Sequence, residues 1–143
     1  MKKSILVAIV SLCLAFSASM PAAASASSES APIGDGVNQT RWANVSDITL
    51  SMTYSGGAVN WRGIIQGKSN VVRIDATFTL EKLNANGKYE YVDSWTASTT
   101  TMKLDKSGSK TTAKGTYRLS VKATVTTTSG ATETVTDSLV KTF

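Results

Sequence analysis

The sequence predicts an all-β fold, a seven-stranded antiparallel sandwich, on three observations. Apolar and polar residues alternate with period two over most of the chain from Val45 onward. Turn signals break the alternating runs every 8 to 15 positions. Thr is the commonest residue in this region, and no stretch carries an apolar stripe at helical spacing. The branched side chains of Thr and Val are restricted at χ1, which disfavours a helix and suits a pleated strand. Each alternating run buries one face, and such faces are satisfied by packing two sheets together. The inward parity supplies roughly 25 apolar side chains, enough for a domain of this size to fold without disulfides.

The first strand alternates Ile48, Leu50, Met52 and Tyr54 against Thr49, Ser51 and Thr53. Gly56-Gly57 turns the chain. Val59, Trp61 and Ile64-Ile65 make the second strand, with a bulge or slip expected near Gly63. The third is the most regular: Val72, Ile74, Ala76, Phe78 and Leu80 against Arg73, Asp75, Thr77, Thr79 and Glu81. Asn84-Ala85-Asn86-Gly87 is a hairpin signal, because Asn and Gly tolerate positive φ. The return strand places Tyr89, Tyr91 and Trp95 on the inward parity. Glu81 opposite Lys88 is the preferred register, since a slip by two sets Glu81 against Glu90. That register also puts Leu80 against Tyr89 and Phe78 against Tyr91. Asp93 falls on the inward parity, which requires a bulge or an open edge reached by water.

A short fifth strand carries Met102 and Leu104. Asp105 to Lys114 is polar and reads as a loop that turns at Gly108. The sixth strand alternates Tyr117, Leu119, Val121, Ala123 and Val125 against polar partners, and Ser129-Gly130 turns the chain again. Thr132 to Phe143 is the last strand, with Val135, Leu139 and Phe143 on one parity.

The domain is preceded by two segments of other texture. Met1-Lys2-Lys3, the uncharged run Ile5 to Phe16 and the A-x-A sites near Ala24 read as a signal peptide over residues 1–26. The run is too short to span a bilayer, so no transmembrane anchor is expected. Leu12 precedes Cys13 where a lipidation site wants a small residue, so Cys13 reads as part of the apolar run. Residues 27–43 are rich in Ser, Ala and Gly and read as a flexible leader. The β-sandwich domain then covers 44–143. Cleavage after Ala26 leaves 117 residues of formal charge +3, with neither Cys nor His. That composition excludes disulfides, thiol nucleophiles, His-based triads and the usual zinc sites.

Ala58-Val59-Asn60-Trp61 and Gly115-Thr116-Tyr117-Arg118-Leu119-Ser120-Val121 resemble strands of immunoglobulin and fibronectin type III domains, the second with its tyrosine corner. No cysteine pair is present, and Leu119 stands where an immunoglobulin domain would place one. From Trp42 to Phe143 the chain also resembles small secreted single-domain proteins of Gram-positive bacteria that carry a domain of unknown function. These resemblances imply a fold and no activity.

Candidate chemistry is sparse. Ser107-Gly108-Ser109-Lys110 matches S-x-x-K but lacks the helix start and partner motifs that make the pattern catalytic. Asp75 and Glu81 share a strand face about 20 Å apart, too far for glycoside hydrolysis. Asp93 with Asp47 or Asp137 is the remaining acid pairing. Lys103, Lys106, Lys110 and Lys114 lie within twelve positions, countered only by Asp105. At one end of a sandwich they would form a positive patch for an anionic surface. The alternative is protection of an edge strand. Trp42 either caps the open end of the core or stacks on a sugar; capping is favoured. The scattered Thr runs, such as Thr99-Thr100-Thr101, read as plain strand propensity.

The expected protein is therefore secreted, loosely wall-associated and non-catalytic. It binds a cell-envelope glycan or anionic polymer through Trp42, Lys103, Lys106, Lys110 and Lys114. No metal, cofactor or nucleic-acid partner is expected. A bacteriocin-like secreted effector is the alternative, and a small hydrolase the third reading.

Overall fold

The computed structural model of the protein describes residues 42–143. The expected signal peptide, Cys13 and the expected leader up to residue 41 lie outside the described residues. Among the described residues there are seven strands: β1 (Val45–Ser55), β2 (Ala58–Gly67), β3 (Val71–Leu83), β4 (Tyr89–Thr99), β5 (Lys103–Thr111), β6 (Thr116–Thr127) and β7 (Thr132–Thr142). They form two antiparallel sheets, ordered β1-β2-β5 and β4-β3-β6-β7. The expected sandwich is what the chain builds.

The core follows the alternation. Ile48 and Met52 of β1, Val59, Trp61 and Ile65 of β2, and Ile74, Phe78 and Leu80 of β3 are buried. Tyr117, Leu119, Val121, Ala123 and Val125 of β6 are buried without exception. At its centre the Trp61 ring lies 4.9 Å from Phe78 and 4.8 Å from Trp95, centroid to centroid. Tilted pairs at this spacing add about 0.5–1.5 kcal/mol beyond burial. The Tyr117 hydroxyl donates to the Ala113 carbonyl, the corner contact implied by the resemblance.

Four local readings are corrected. Gly63 carries no bulge: β2 pairs in continuous register with β5 and across Gly63 with β1, whose one shift lies between Val45 and Asp47, and Gly63 is an inward position emptied for the Phe78 ring. The stretch from Asp105 to Thr111 is no loop but most of β5, paired throughout with β2. Gly108 sits inside that strand because the Trp61 indole occupies its side-chain space. The β3–β4 hairpin has another register, with Lys82 opposite Glu90 and Leu83 opposite Tyr89. Its cause is the turn. Asn84 Oδ1 accepts from the amides of Asn86 and Lys88, which pulls Lys88 into the loop. Lys82 and Glu90 then stand opposite each other in register, but among the described residues they form no ion pair.

The fourth correction follows from the third. Leu80 pairs with Asp93 but Glu81 pairs with Tyr91, so Val92 is an extra residue in β4. This bulge switches parity. Trp95 stays inward, whereas Tyr89 and Tyr91 turn to the outer face and leave the core. A similar shift at the start of β3 makes Val71 the buried residue and leaves Val72 41% exposed.

Main-chain bonds gather the connections at two ends. Lys68 N donates to Asn44 O, Gly67 N to Met102 O and Thr128 N to Asn70 O at the Trp42 end. Thr112 N donates to Gly57 O and Phe143 N to Gly115 O at the Tyr117 end. Laterally, β4 faces β5 through Lys110 and Asp93, and β7 faces β1 through Lys141 Nζ and the Met52 carbonyl. Both open sides carry inward charges (Asp93, Lys106 and Lys110 on one, Asp137 and Lys141 on the other), which block strand addition.

Asp137 gives this arrangement a measurable signature. Burial pushes its carboxyl up from the ordinary range, the Ser138 amide opposes this, and the charge of Asp47 adds to the rise. A raised folded-state pKa means stability that is complete below the unfolded pKa and is lost as pH rises. Asp137→Asn is therefore expected to raise the melting midpoint by roughly 2 °C at pH 7. The gain disappears below about pH 3.9, where both states are protonated. Thermal scans at pH 7 and pH 3 check it; an equal gain at both would refute the electrostatic origin. Asp75, Asp93 and Asp105 have the opposite sign. Hydrogen bonds from Arg73, Lys110 and Arg62 hold them low, so their contribution fades as pH falls.

Candidate functional site

The structure does not bring the five sequence-derived residues together. Lys103, Lys106 and Lys110 lie along β5, and seven extended residues put Lys103 about 23 Å from Lys110. Lys103 faces out, near the Trp42 end. Lys106 and Lys110 face in, opposite Gly63 and Val59 of β2. Lys110 Nζ bonds Asp93 Oδ2 at 2.7 Å across the open side of the sandwich. Lys114 lies beyond β5 at the far end, its ammonium 5.8 Å from the Tyr54 ring centroid. Trp42 is half-buried against the core at the opposite end, which is the capping role. Its backbone is clamped: Lys68 Nζ donates to the Trp42 and Ala43 carbonyls, and the Glu133 carboxylate accepts from the amides of Ala43 and Asn44 at 2.8 and 2.7 Å.

The candidate catalytic groupings separate as well. Ser107 faces out of β5 and Lys110 faces in, so the S-x-x-K residues cannot share a proton. Asp75 pairs with Arg73 at 2.7 Å, and Glu81 with Arg118 at 2.7 Å. Of the remaining acids, the charge of Asp47 contributes to the raised Asp137 carboxyl across the β1–β7 side. Among the described residues, no group of three or more His, Cys, Asp or Glu side chains is placed to hold a metal, and no helix is long and apolar enough to cross a membrane.

What the fold does gather is a basic, aromatic end. Tyr54 of β1, Tyr117 of β6 and Phe143 form a ring cluster, with centroids 5.9 Å apart for Tyr54–Phe143 and 6.4 Å for Tyr117–Phe143. The Tyr54 hydroxyl donates to the Thr112 carbonyl at 3.0 Å, and the Tyr117 hydroxyl lies 2.9 Å from Thr112 Oγ1. These bonds pin the β5–β6 connection against the rings. Three ammonium groups rest on the cluster. Lys82 Nζ is 5.4 Å from the Tyr117 ring, Lys114 Nζ 5.8 Å from Tyr54 and Lys141 Nζ 5.7 Å from Phe143. Lys82 also donates to the Ala113 carbonyl at 3.3 Å and Lys141 to the Met52 carbonyl at 3.0 Å. None of the three has a carboxylate within 4.0 Å among the described residues. The nearby acids are taken: Glu81 by Arg118, and Glu90 by the Asn84 amide at 2.8 Å.

Sequence reading found only Lys114 of this set. Lys82, Lys114 and Lys141 are 32 and 27 positions apart and carry no local signal. They meet because β3 and β7 flank β6, with Lys82 and Lys141 each in register with Tyr117. Ring faces screen less than water, so three like charges held there produce a strong local positive field.

A second feature adjoins this end on the outer face of the four-stranded sheet. The β4 bulge leaves Tyr91 67% exposed, its hydroxyl 3.2 Å from Ser94 Oγ. Glu81 lies between Tyr91 and Arg118 in register. The Arg118 guanidinium stacks 4.1 Å from the Tyr89 centroid, and its Nε donates to Glu81 at 2.7 Å. No protein-family model matches this sequence, and no curated protein matches it either.

Proposed function

We propose that the protein is a secreted, non-catalytic binding module that engages an anionic polymer of the cell envelope through its Tyr117 end. The supporting observation is the convergence of Lys82, Lys114 and Lys141 on one aromatic cluster, with no carboxylate within 4.0 Å of them among the described residues. Lysines kept only for solubility have no need to converge.

Retention on purified cell-wall material at low and moderate salt tests this. The triple variant Lys82→Gln, Lys114→Gln, Lys141→Gln should bind about tenfold more weakly at low salt and show a flatter salt dependence. Gln removes the charge while keeping an N–H donor, and a melting scan verifies folding. Lys103→Gln with Lys122→Gln removes charge elsewhere and should change binding less than twofold per charge. Equal losses in both variants, or no retention of the wild type at low salt, would defeat the proposal.

A further inference from the structure

We infer that the charged groups recognised at the basic end are phosphodiesters carried along a polymer chain, and not the carboxylates of an acidic polysaccharide; this rests on the basic end being the polymer-binding surface. Lys82 of β3 and Lys141 of β7 each stand opposite Tyr117 of β6 in register, so the two lysines and the Tyr117 ring share one face of the four-stranded sheet. Hydrogen-bonding capacity at this end is lopsided. An ammonium donates through its N–H groups and accepts nothing. Lys82 directs an N–H to the Ala113 carbonyl and Lys141 directs one to the Met52 carbonyl, and each keeps its other donors for a ligand. The acceptors around them already have donors. The Thr112 carbonyl accepts from Tyr54, and the Ala113 carbonyl accepts from Tyr117 as well as from Lys82. The carbonyls of Gly57 and Gly115 accept from the amides of Thr112 and Phe143.

A surface rich in donors and short of acceptors fits a ligand made of acceptors. Every oxygen of a phosphodiester accepts. A uronate sugar brings hydroxyl donors beside its carboxylate, and a hydroxyl pressed against this end loses water without gaining a partner. The kind of cation points the same way. A carboxylate is matched by the planar fork of a guanidinium, whereas an ammonium is a point donor that meets a tetrahedral phosphate from any side. The three arginines among the described residues pair with Asp105, Asp75 and Glu81. Arg118, next to Tyr117 in β6, faces the other side of the sheet and adds no fork here. The rings offer no stacking platform either. Tyr117 is fully buried, Tyr54 and Phe143 pack against the core, and each of the three carries an ammonium over its face.

Binding of the protein to poly(ethylene phosphate) and to polygalacturonate, measured side by side at low salt, tests this. Poly(ethylene phosphate) is a phosphodiester chain without hydroxyls along it. Its charges are the more widely spaced of the two, so charge density alone favours polygalacturonate. At equal charge concentration the wild type should nevertheless hold poly(ethylene phosphate) about fivefold more tightly. Equal binding, or a preference for polygalacturonate, would overturn the phosphodiester assignment. The triple variant Lys82→Gln, Lys114→Gln, Lys141→Gln should lose about tenfold on poly(ethylene phosphate) and bring the two probes within about twofold of each other. A fivefold preference that survives in the triple variant would also overturn the assignment, because the preference would then arise elsewhere on the protein. Lys114 is exposed and lies between β5 and β6, so Lys114→Gln alone leaves the fold intact and should lose about twofold on poly(ethylene phosphate). The two claims fail differently. Lysine variants that bind both probes as the wild type does would refute the basic end itself, whereas a wild type that prefers polygalacturonate and loses it in the triple variant would refute only the phosphodiester.

Discussion

Gly63→Ala is expected to destabilise the domain by about 3 kcal/mol and to lower its melting midpoint by roughly 15 °C. A Cβ at position 63 would stand 2.2 Å from Phe78 Cε1 and 2.9 Å from Cζ. No contact of that kind survives, so the ring must move. It has little freedom, because Phe78 is fully buried and stacked 4.9 Å from Trp61. Packed interiors transmit such a shift instead of absorbing it. Gly108→Ala belongs to the same class, with its Cβ placed 2.6 Å from Trp61 Nε1. That nitrogen is buried without a hydrogen-bond partner among the described residues, so packing against Phe78 and Trp95 holds the indole's orientation. A double-mutant cycle isolates the cause. Phe78→Leu removes the ring atoms that the new methyl meets, so Gly63→Ala should cost far less in that background. A coupling of about 1–2 kcal/mol is expected by chemical denaturation. Additive losses would show that Gly63 matters for backbone reasons and not for the ring.

Those two glycines also show where sequence reading stopped. The strands themselves were legible: the alternation from Ile74 to Leu80 and from Tyr117 to Val125 is the buried face of β3 and β6, residue for residue. Gly63 and Gly108 looked like a bulge and a turn, because a glycine in an alternating run ordinarily marks one or the other. Their true role depends on rings contributed by other strands, Phe78 and Trp61, and no local pattern encodes that. The hairpin failed for a related reason. Pairing Glu81 with Lys88 satisfied charge, but the Asn84 side chain claimed Lys88 for the turn and a bulge at Val92 absorbed the difference. A bulge reverses parity, so one unseen residue moved Tyr89 and Tyr91 from the core to the surface. The basic end was least legible. A run of lysines in sequence became a row along β5, inward and outward by turns, whereas the lysines that do meet come from β3, β7 and the β5–β6 connection.

Tyr117→Phe should cost about 1.5 kcal/mol, more than any exposed polar substitution in the domain and less than Gly63→Ala. The hydroxyl is a hub. It donates to the Ala113 carbonyl and lies 2.9 Å from Thr112 Oγ1, whose own carbonyl accepts from Tyr54 at 3.0 Å. Removing it leaves the ring in place, so the core does not open and Lys82 keeps its aromatic support. What loosens is the connection from Thr112 to Gly115, which carries Lys114. The variant therefore separates packing from positioning. Hydrogen exchange should accelerate at the amides of Thr112 and Phe143, which bond Gly57 and Gly115 at this end, before it does so in β3. Binding to the anionic polymer should fall by about two- to threefold, because Lys114 samples more positions while Lys82 and Lys141 stay put. Tyr117→Phe with unchanged exchange at Thr112 would mean that Tyr54 and the main-chain bonds hold the connection unaided, and the corner hydroxyl would then be a contributor to global stability alone.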